Sequence, residues 1–363
     1  MLYIRVQSLN WIRVAGRTGE IWKQARKWSC YIATRINGEN TAGRFWELYA
    51  RPDYRQWRKH QQRHGCVYMR LVHITDPHLT TLADEKVSQL RGKRWSGYLS
   101  WYKNRRKHYL PQVLNTLVES VKAESADQVL LTGDLVHIGL KSEVAQAHEW
   151  LTTLGSAENI MLVPGNHDIY GKGSADAVFQ TWANYLFPTR EASGSADQFP
   201  VVRKFGKISL IGLTTGCITP VFMASGKLGG RQLAKLEGLL QQATAEGQLV
   251  VLLIHHPPLP GMTNWRKGLS DAAALQNILK RHSTSLIFYG HLHHNHEQRL
   301  GNTRIYCTAS ASSVSDASYR VVDIEESNDC WAFRMRLKSV DLEAAGSLSF
   351  VTIDEQNWQI PKT

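Results

Sequence analysis

Five short apolar runs in this chain each close on residues that carry lone pairs. Arg70-Leu-Val-His-Ile-Thr75 ends in Asp76-Pro-His78, and Gln128-Val-Leu-Leu-Thr132 ends in Gly133-Asp134. Asn159–Val163 leads into Pro164-Gly165-Asn166-His167-Asp168. Leu249-Val-Val-Leu-Leu-Ile254 ends in His255-His-Pro-Pro258, and Ser285–Tyr289 ends in Gly290-His291-Leu-His293. Continuous apolar runs of this length, without polar alternation, are the pattern of buried strands. The intervening segments are helical in period: Pro111 opens one with Val113, Leu114, Leu117, Val118 and Val121 on one face. Ser142 is placed to cap a second running to about Leu154. Two more are predicted over 229–242 and 270–282. Strand, polar loop and helix in alternation predict an α/β fold, in which ligands bind beyond the carboxyl ends of the strands. Gly165 is expected to allow a sharp turn with positive φ there.

The residue types at those endings can hold cations. In Asp76-Pro-His78 and His291-Leu-His293 the two candidates are two apart, so in extended chain they point to the same side. Asp134 can bridge two ions, one oxygen serving each. Carboxylate and amide oxygens mixed with imidazole nitrogens suit Mn, Fe, Zn or Co better than copper or calcium. Each piece also has an ordinary reading. Asp-x-His can be a capped turn, and Gly-Asp a plain one. His-His-Pro-Pro can be a strand stopped by prolines, and His291 to His296 an exposed loop in which His294 and His296 are peripheral. Five such endings in one chain are hard to reach by chance.

The ordered set Asp-x-His, Gly-Asp, Gly-Asn-His-Asp, His-x-Pro and Gly-His-x-His resembles the calcineurin-like metallophosphoesterases over about residues 69–310. The resemblance implies a two-sheet α/β sandwich flanked by helices, in four layers, with a dinuclear metal site at one edge. It implies one metal (Mn, Fe or Zn) on Asp76, His78 and His293 and a second on Asn166, His255 and His291, with Asp134 between them. It gives His167 the role of binding a phosphate oxygen and protonating the leaving group, and Asp168 the role of orienting His167. The implied reaction is hydrolysis of a phosphodiester or pyrophosphate bond by an activated hydroxide. One departure is His137, where family members often carry Asp, Asn or Thr.

Composition bounds the alternatives. The chain has 363 residues, 43% hydrophobic and 20% charged, and no run near the ~18 apolar residues of a membrane span. Five scattered cysteines without a Cys-x-x-Cys pair, and no secretory signal, predict free thiols in a reducing, cytoplasmic compartment. Of the net charge of +12, residues 1–68 carry +9 (thirteen Lys/Arg against four Asp/Glu), leaving +3 for 69–363. The basic isoelectric point therefore does not argue for a nucleic-acid partner. That leading stretch holds five of the twelve Trp. It reads as a basic arm for anionic membrane or nucleic acid, or as translation assigned too far upstream. The second reading is preferred, because Met69 stands directly before the first convincing strand. The expected organisation is a 1–68 extension, a 69–310 catalytic domain, and 311–363 as strands closing a second sheet.

The substrate is less legible. In 91–109, Trp95, Tyr98, Leu99, Trp101 and Tyr102 interleave with Arg94, Lys103, Arg105, Arg106 and Lys107. This reads as a helix with a packed aromatic face and a solvated basic one. It also reads as an amphipathic cap that meets an anionic membrane or a lipid-linked substrate. In that second sense it resembles a segment of bacterial UDP-diacylglucosamine pyrophosphatases. A nuclease would use the same charges on phosphates and the rings for stacking. A non-catalytic scaffold would typically lack ligands, and here every position is filled.

Overall fold

The computed structural model describes four short strands within the first 67 residues, and residues 68–362 apart from Thr80, 188–193, Ser283, Asn328 and 343–347. The chain divides into two units, Met1–Tyr68 with Glu325–Ala332, and Met69–Ile324 with Phe333–Thr363. In the first, β1 (Leu2–Arg5), β2 (Ile12–Val14), β3 (Ala33–Ile36) and β4 (Glu39–Asn40) form a sheet in the order β2-β1-β3-β4 with antiparallel pairs. The tryptophans of this stretch, and the expectation of a basic arm there, lie outside the described residues.

The second unit is the expected α/β sandwich of two mixed sheets. One sheet contains β5 (Tyr68–Ile74), β6 (Gln128–Leu131) and β7 (Ile160–Leu162), parallel in that order. The other is built on β8 (Val201–Phe205), β9 (Ile208–Gly212), β10 (Leu249–Leu253), β11 (Leu286–Tyr289), β12 (His296–Leu300) and β13 (Thr303–Cys307). Its order is β12-β13-β11-β10-β9-β8, parallel from β9 to β13 and antiparallel at both edges. The tail forms strands β14 (Ser318–Glu326), β15 (Cys330–Leu342) and β16 (Leu348–Pro361). They lie in the sheet of β5, in the order β16-β15-β14-β5-β6-β7. Apolar alternation marks a strand but not the neighbour it pairs with, so the sequence could not choose between the sheets.

The central strands β5, β6, β7, β9, β10 and β11 are buried along their whole length, as continuous apolar runs require. Helices fill the connections: α1 (Lys93–Ser100), a π-helical stretch over Trp101–Arg105, α2 (Arg106–His108), α3 (Pro111–Ala123), α4 (Lys141–Leu154), α5 (Ser174–Thr181), α6 (Ala183–Leu186), α7 (Gly230–Ala245) and α8 (Ala272–Arg281). Alternate strand residues Val250, Leu252 and Ile254 pack with Leu233, Leu236 and Leu240 of α7 and Leu275 and Leu279 of α8. Between the sheets, the ring of His73 on β5 meets that of Phe288 on β11 at 4.8 Å. The first turn of α4 is capped by Glu143, not by Ser142: its carboxylate accepts from the amide of Leu140 at 3.0 Å. Among the described residues no helix is long and apolar enough to cross a membrane, and Cys217, Cys307 and Cys330 are free thiols.

Candidate metal centre

The carboxyl ends of β5, β6 and β7 from one sheet meet those of β10 and β11 from the other, and backbone bonds lock the loops together. The amide of Asp76 donates to Gly133 O (3.0 Å), that of His78 to Asp134 O (3.1 Å), and that of Gly290 to His255 O (3.1 Å). Among the described residues seven non-glycine positions have positive φ, and five of them are Asp76, His78, Asp134, His291 and His293. Left-handed backbone at a non-glycine residue costs about 1–3 kcal/mol and persists only where its surroundings over-determine it. Its concentration on the predicted ligands marks this edge as a functional site. Gly165, by contrast, does not have positive φ. Glycine is needed there for close approach, because a Cβ would run into the Asp134 carboxylate and lie 2.8 Å from His255 Cε1. Gly133 supplies the left-handed turn instead, at φ +82°.

Two groups of side chains at this edge could each hold an ion: Asp76, His78, Asp134 and His293, and Asp134, His255 and His291, the ligand atoms of each lying within 4.8 Å of one another. Asp134 belongs to both. Its Oδ2 lies 3.3 Å from His255 Nε2 and 4.0 Å from His78 Nε2, while its Oδ1 accepts from the amide of His167 at 2.7 Å. Asn166 joins the second group through Oδ1, 3.1 Å from His255 Nε2. Asp76 Oδ2 is occupied by the hydroxyl of Thr75 (2.6 Å) and the amide of His291 (2.9 Å), which leaves Oδ1 facing His293 Nε2 at 3.1 Å.

The donor set fits a cation rather than a hydrogen-bond network. His78 Nδ1 donates to Val136 O (3.1 Å) and His255 Nδ1 to Thr132 O (2.6 Å), so both rings turn Nε2 toward the centre, the nitrogen that would face a cation. The Nε2 of His78 faces that of His293 at 3.3 Å, and Tyr109 Oη sits 2.9 Å from His293 Nδ1. His291 Nε2 is buried without a hydrogen-bond partner. Lone pairs of nitrogen and carboxylate oxygen converging in a buried space repel unless a positive ion lies among them. The electrostatics agree. Burial first, and then neighbouring histidines, hold His78 and His291 well below the usual imidazole range. Burial disfavours charge on His255, but Asp134 raises its pKa to about 9, so without an ion a proton on Nε2 takes the positive place beside Asp134 that a cation would displace; burial opposes ionisation of Asp76, but His293 holds it down to about 2.

His167 is buried beside this centre. Its Nδ1 lies 2.5 Å from the carbonyl of His137, which only a donor can satisfy, so that nitrogen carries the proton. Its Nε2 accepts from Arg105 Nη2 at 3.2 Å. Burial and then Arg105 keep the ring well below its usual pKa, hence neutral. Asp168 meets backbone, not the imidazole of His167: its oxygens accept from the amides of Asp134 (2.8 Å), Gly165 (2.8 Å), Leu135 (2.9 Å) and Val136 (3.3 Å). Glu143 continues the clamp along the same loop, accepting from His137 (2.7 Å) and Ile138 (3.1 Å). The departure noted at His137 places a buried ring stacked on His78, centroids 5.3 Å apart.

Three residues of the site escape the motif reading. Arg105 and Tyr109 arrive from the basic-aromatic segment, and Glu143 from the helix start. The signal for the first two was the π-helical stretch over Trp101–Arg105, which composition hides. Trp101 anchors that segment by packing with Leu82, Leu90, Ile138 and Tyr170.

A family model described as Calcineurin-like phosphoesterase matches residues 69–295. A "Probable cyclic nucleotide phosphodiesterase" of Vesicomyosocius okutanii subsp. Calyptogena okutanii (strain HA) is 30% identical over 202 residues, which is 54% of this chain and 76% of that protein. A protein of the same description from Synechococcus sp. (strain WH7803) is 26% identical over 245 residues, 62% of this chain and 74% of its own length. Among solved structures, a dimetal phosphatase from Danio rerio superposes with a TM-score of 0.50 at 15% identity, over 78% of this chain and 98% of that one. That likeness concerns the fold.

Proposed function

The chain belongs to the calcineurin-like phosphoesterase family, and on that premise we propose that it is a metal-dependent phosphodiesterase whose first substrate class to test is a cyclic nucleotide. The observation that carries the phosphoesterase reading is the shared carboxylate, since Asp134 belongs to both ion-holding groups. The cyclic-nucleotide class rests on the description of the two similar proteins.

In the proposed site Asp76, His78 and His293 would hold one ion and Asn166, His255 and His291 the other, with Asp134 bridging. Two bound divalent ions (Mn, Fe or Zn) would lower the pKa of a water and neutralise charge on the phosphoryl oxygens. The protein's own share is positioning and proton transfer. A phosphoryl oxygen entering beside Arg105 accepts from its guanidinium and draws it off His167 Nε2. Negative charge next to the ring favours the imidazolium, so Nε2 can take a proton from solvent water as the substrate binds and then pass it to the leaving oxygen, returning to the neutral ring. Asp168 and Glu143 hold the loop on which Asp134 sits.

A second reading, cleavage of a pyrophosphate bond in a lipid-linked substrate, is favoured by one observation. Trp95 and Tyr102 stand about half exposed on the segment that delivers Arg105. Hydrolysis of bis-(p-nitrophenyl) phosphate, cyclic AMP, cyclic GMP, UDP-linked lipid and single-stranded DNA, with Mn added, separates these substrates. Inertness toward all of them in every divalent salt would leave the family's scaffold role.

A further inference from the structure

Eight large apolar side chains stand exposed among the described residues, and six of them fall on three short segments. Trp95 and Tyr102 lie on 91–108, Ile218, Val221 and Phe222 on 217–227, and Trp265 on 262–269. The segments are bonded to one another. Lys93 Nζ donates to Thr219 Oγ1 at 2.5 Å, the amide of Ala224 to Arg266 O at 2.8 Å, and that of Gly226 to Gly268 O at 3.1 Å. They also border the metal centre. Ala224 O lies 3.1 Å from His256 Nε2, and the Lys93 ammonium sits 4.5 Å from the centroid of Tyr170, whose ring stacks on His167 at 5.3 Å.

Charge follows the same segments. Together they contain ten Lys/Arg and no Asp/Glu. Residues 69–363 carry +3 as a whole, so the remainder of that stretch carries −7. Phe222 adds a conformational signal: its φ is +63° and its side chain is 86% exposed. Left-handed backbone at a bulky residue is unfavourable, and a side chain so exposed gains little from packing within the protein. Strain of this kind clusters at ligand clamps and switch segments.

We infer that this apolar, basic rim docks the protein on an anionic lipid surface, with the mouth of the metal centre beside the headgroups. Aliphatic Ile218 and Val221 have no face on which a nucleic-acid base could stack, but gain from entering the boundary between headgroups and acyl chains. Two rings on the rim carry guanidinium partners suited to that boundary: Arg106 lies 3.9 Å over Tyr102, and Arg266 lies 5.4 Å over Trp265. A protein partner is less favoured, because the cores of such interfaces are depleted of charge. Segments rich in Lys/Arg and without an acidic residue of their own match a polyanionic plane.

The test is sedimentation of the full chain with phosphatidylcholine vesicles and with vesicles containing phosphatidylglycerol, at low and high salt. The expected result is at least tenfold tighter binding to the anionic vesicles, weakened by salt. Both Ile218→Ser/Phe222→Ser and Arg266→Glu/Lys267→Glu should weaken it at least tenfold. Hydrolysis of bis-(p-nitrophenyl) phosphate without vesicles should stay unchanged in both variants, which also reports that they are folded. No preference for anionic vesicles overturns the inference. So does binding by both variants at the wild-type level, which would locate the attraction elsewhere in the chain. Displacement of the protein from vesicles by single-stranded DNA, with both variants losing DNA affinity to the same degree, assigns the rim to nucleic acid instead. Inertness of the wild type toward soluble diesters bears on the phosphoesterase proposal and leaves the vesicle result standing.

Discussion

Arg105 lies along the imidazole of His167, with Nη1 3.2 Å from Nδ1 and Nη2 3.2 Å from Nε2. The pairing of a cation with a neutral buried ring is unfavourable to protonation of that ring, and it is relieved when an anion arrives. His167→Ala should keep its metal while losing roughly 10²–10⁴-fold in kcat, the usual worth of a general acid. Arg105→Ala should lose about 10²–10³-fold, as removal of a donor to a developing oxyanion does. Arg105→Lys should recover only part, since an ammonium lacks the two parallel N–H donors that the planar fork offers a phosphoryl group. Steady-state kinetics beside metal analysis checks all three. Metal loss in the His167 variant would make that residue a ligand instead.

Tyr109 holds the far nitrogen of His293. Tyr109→Phe removes that hydroxyl and should weaken metal affinity about 10–100-fold, the usual effect of losing an outer partner of a ligating histidine. A chelator competition titration reads it directly. Because the ring stays in place and only Oη is removed, the melting temperature of the metal-free protein should change little.

The strand endings, their order and the residues that converge were legible in the sequence, because continuous apolar runs and lone-pair residues are both local features. What joins them was not. Asp168 serves four backbone amides of two loops, a contact set that depends on how those loops meet. Gly165 was read as a turn residue, and it is required by the carboxylate of a residue 31 positions earlier in the chain, Asp134. The tail was legible as strands, but not that it would join the sheet of β5, β6 and β7, because pairing partners are a tertiary fact. Arg105 was visible as a charge, but its aim at His167 depends on the π-helical stretch before it.

Asp168→Ala should destabilise the fold and empty the site together. It leaves up to four buried amides without an acceptor, each worth about 1–3 kcal/mol. Asp168→Asn keeps two of its acceptor lone pairs and should fall between wild type and alanine. Urea denaturation of each variant with and without metal is the measurement. An alanine variant as stable as wild type would mean that water replaces the carboxylate at no cost.

His73 is buried between the hydroxyls of Thr308 (2.8 Å) and Thr132 (2.9 Å), and burial, with Arg320, lowers its pKa to about 3. Its folded pKa lies below the unfolded value of about 6.5, so between pH 6.5 and 3 the unfolded chain binds the extra proton. The stability contributed by the neutral ring is therefore complete above pH 6.5 and is lost as pH falls toward 3. One such group gives a slope of about 1.4 kcal/mol per pH unit. In His73→Gln that portion of the slope should disappear between pH 6 and 4, in chelated protein. An unchanged slope would assign the acid sensitivity to other groups.

The account turns on Asp134 standing between two ions. Metal content and bis-(p-nitrophenyl) phosphate hydrolysis should be measured on the same preparations of wild type and Asp134→Ala. Close to two metal equivalents with turnover in the wild type, and loss of both in the variant, is the predicted outcome. Full metal occupancy in Asp134→Ala, or a wild type that binds two ions and hydrolyses no phosphoester, would contradict it.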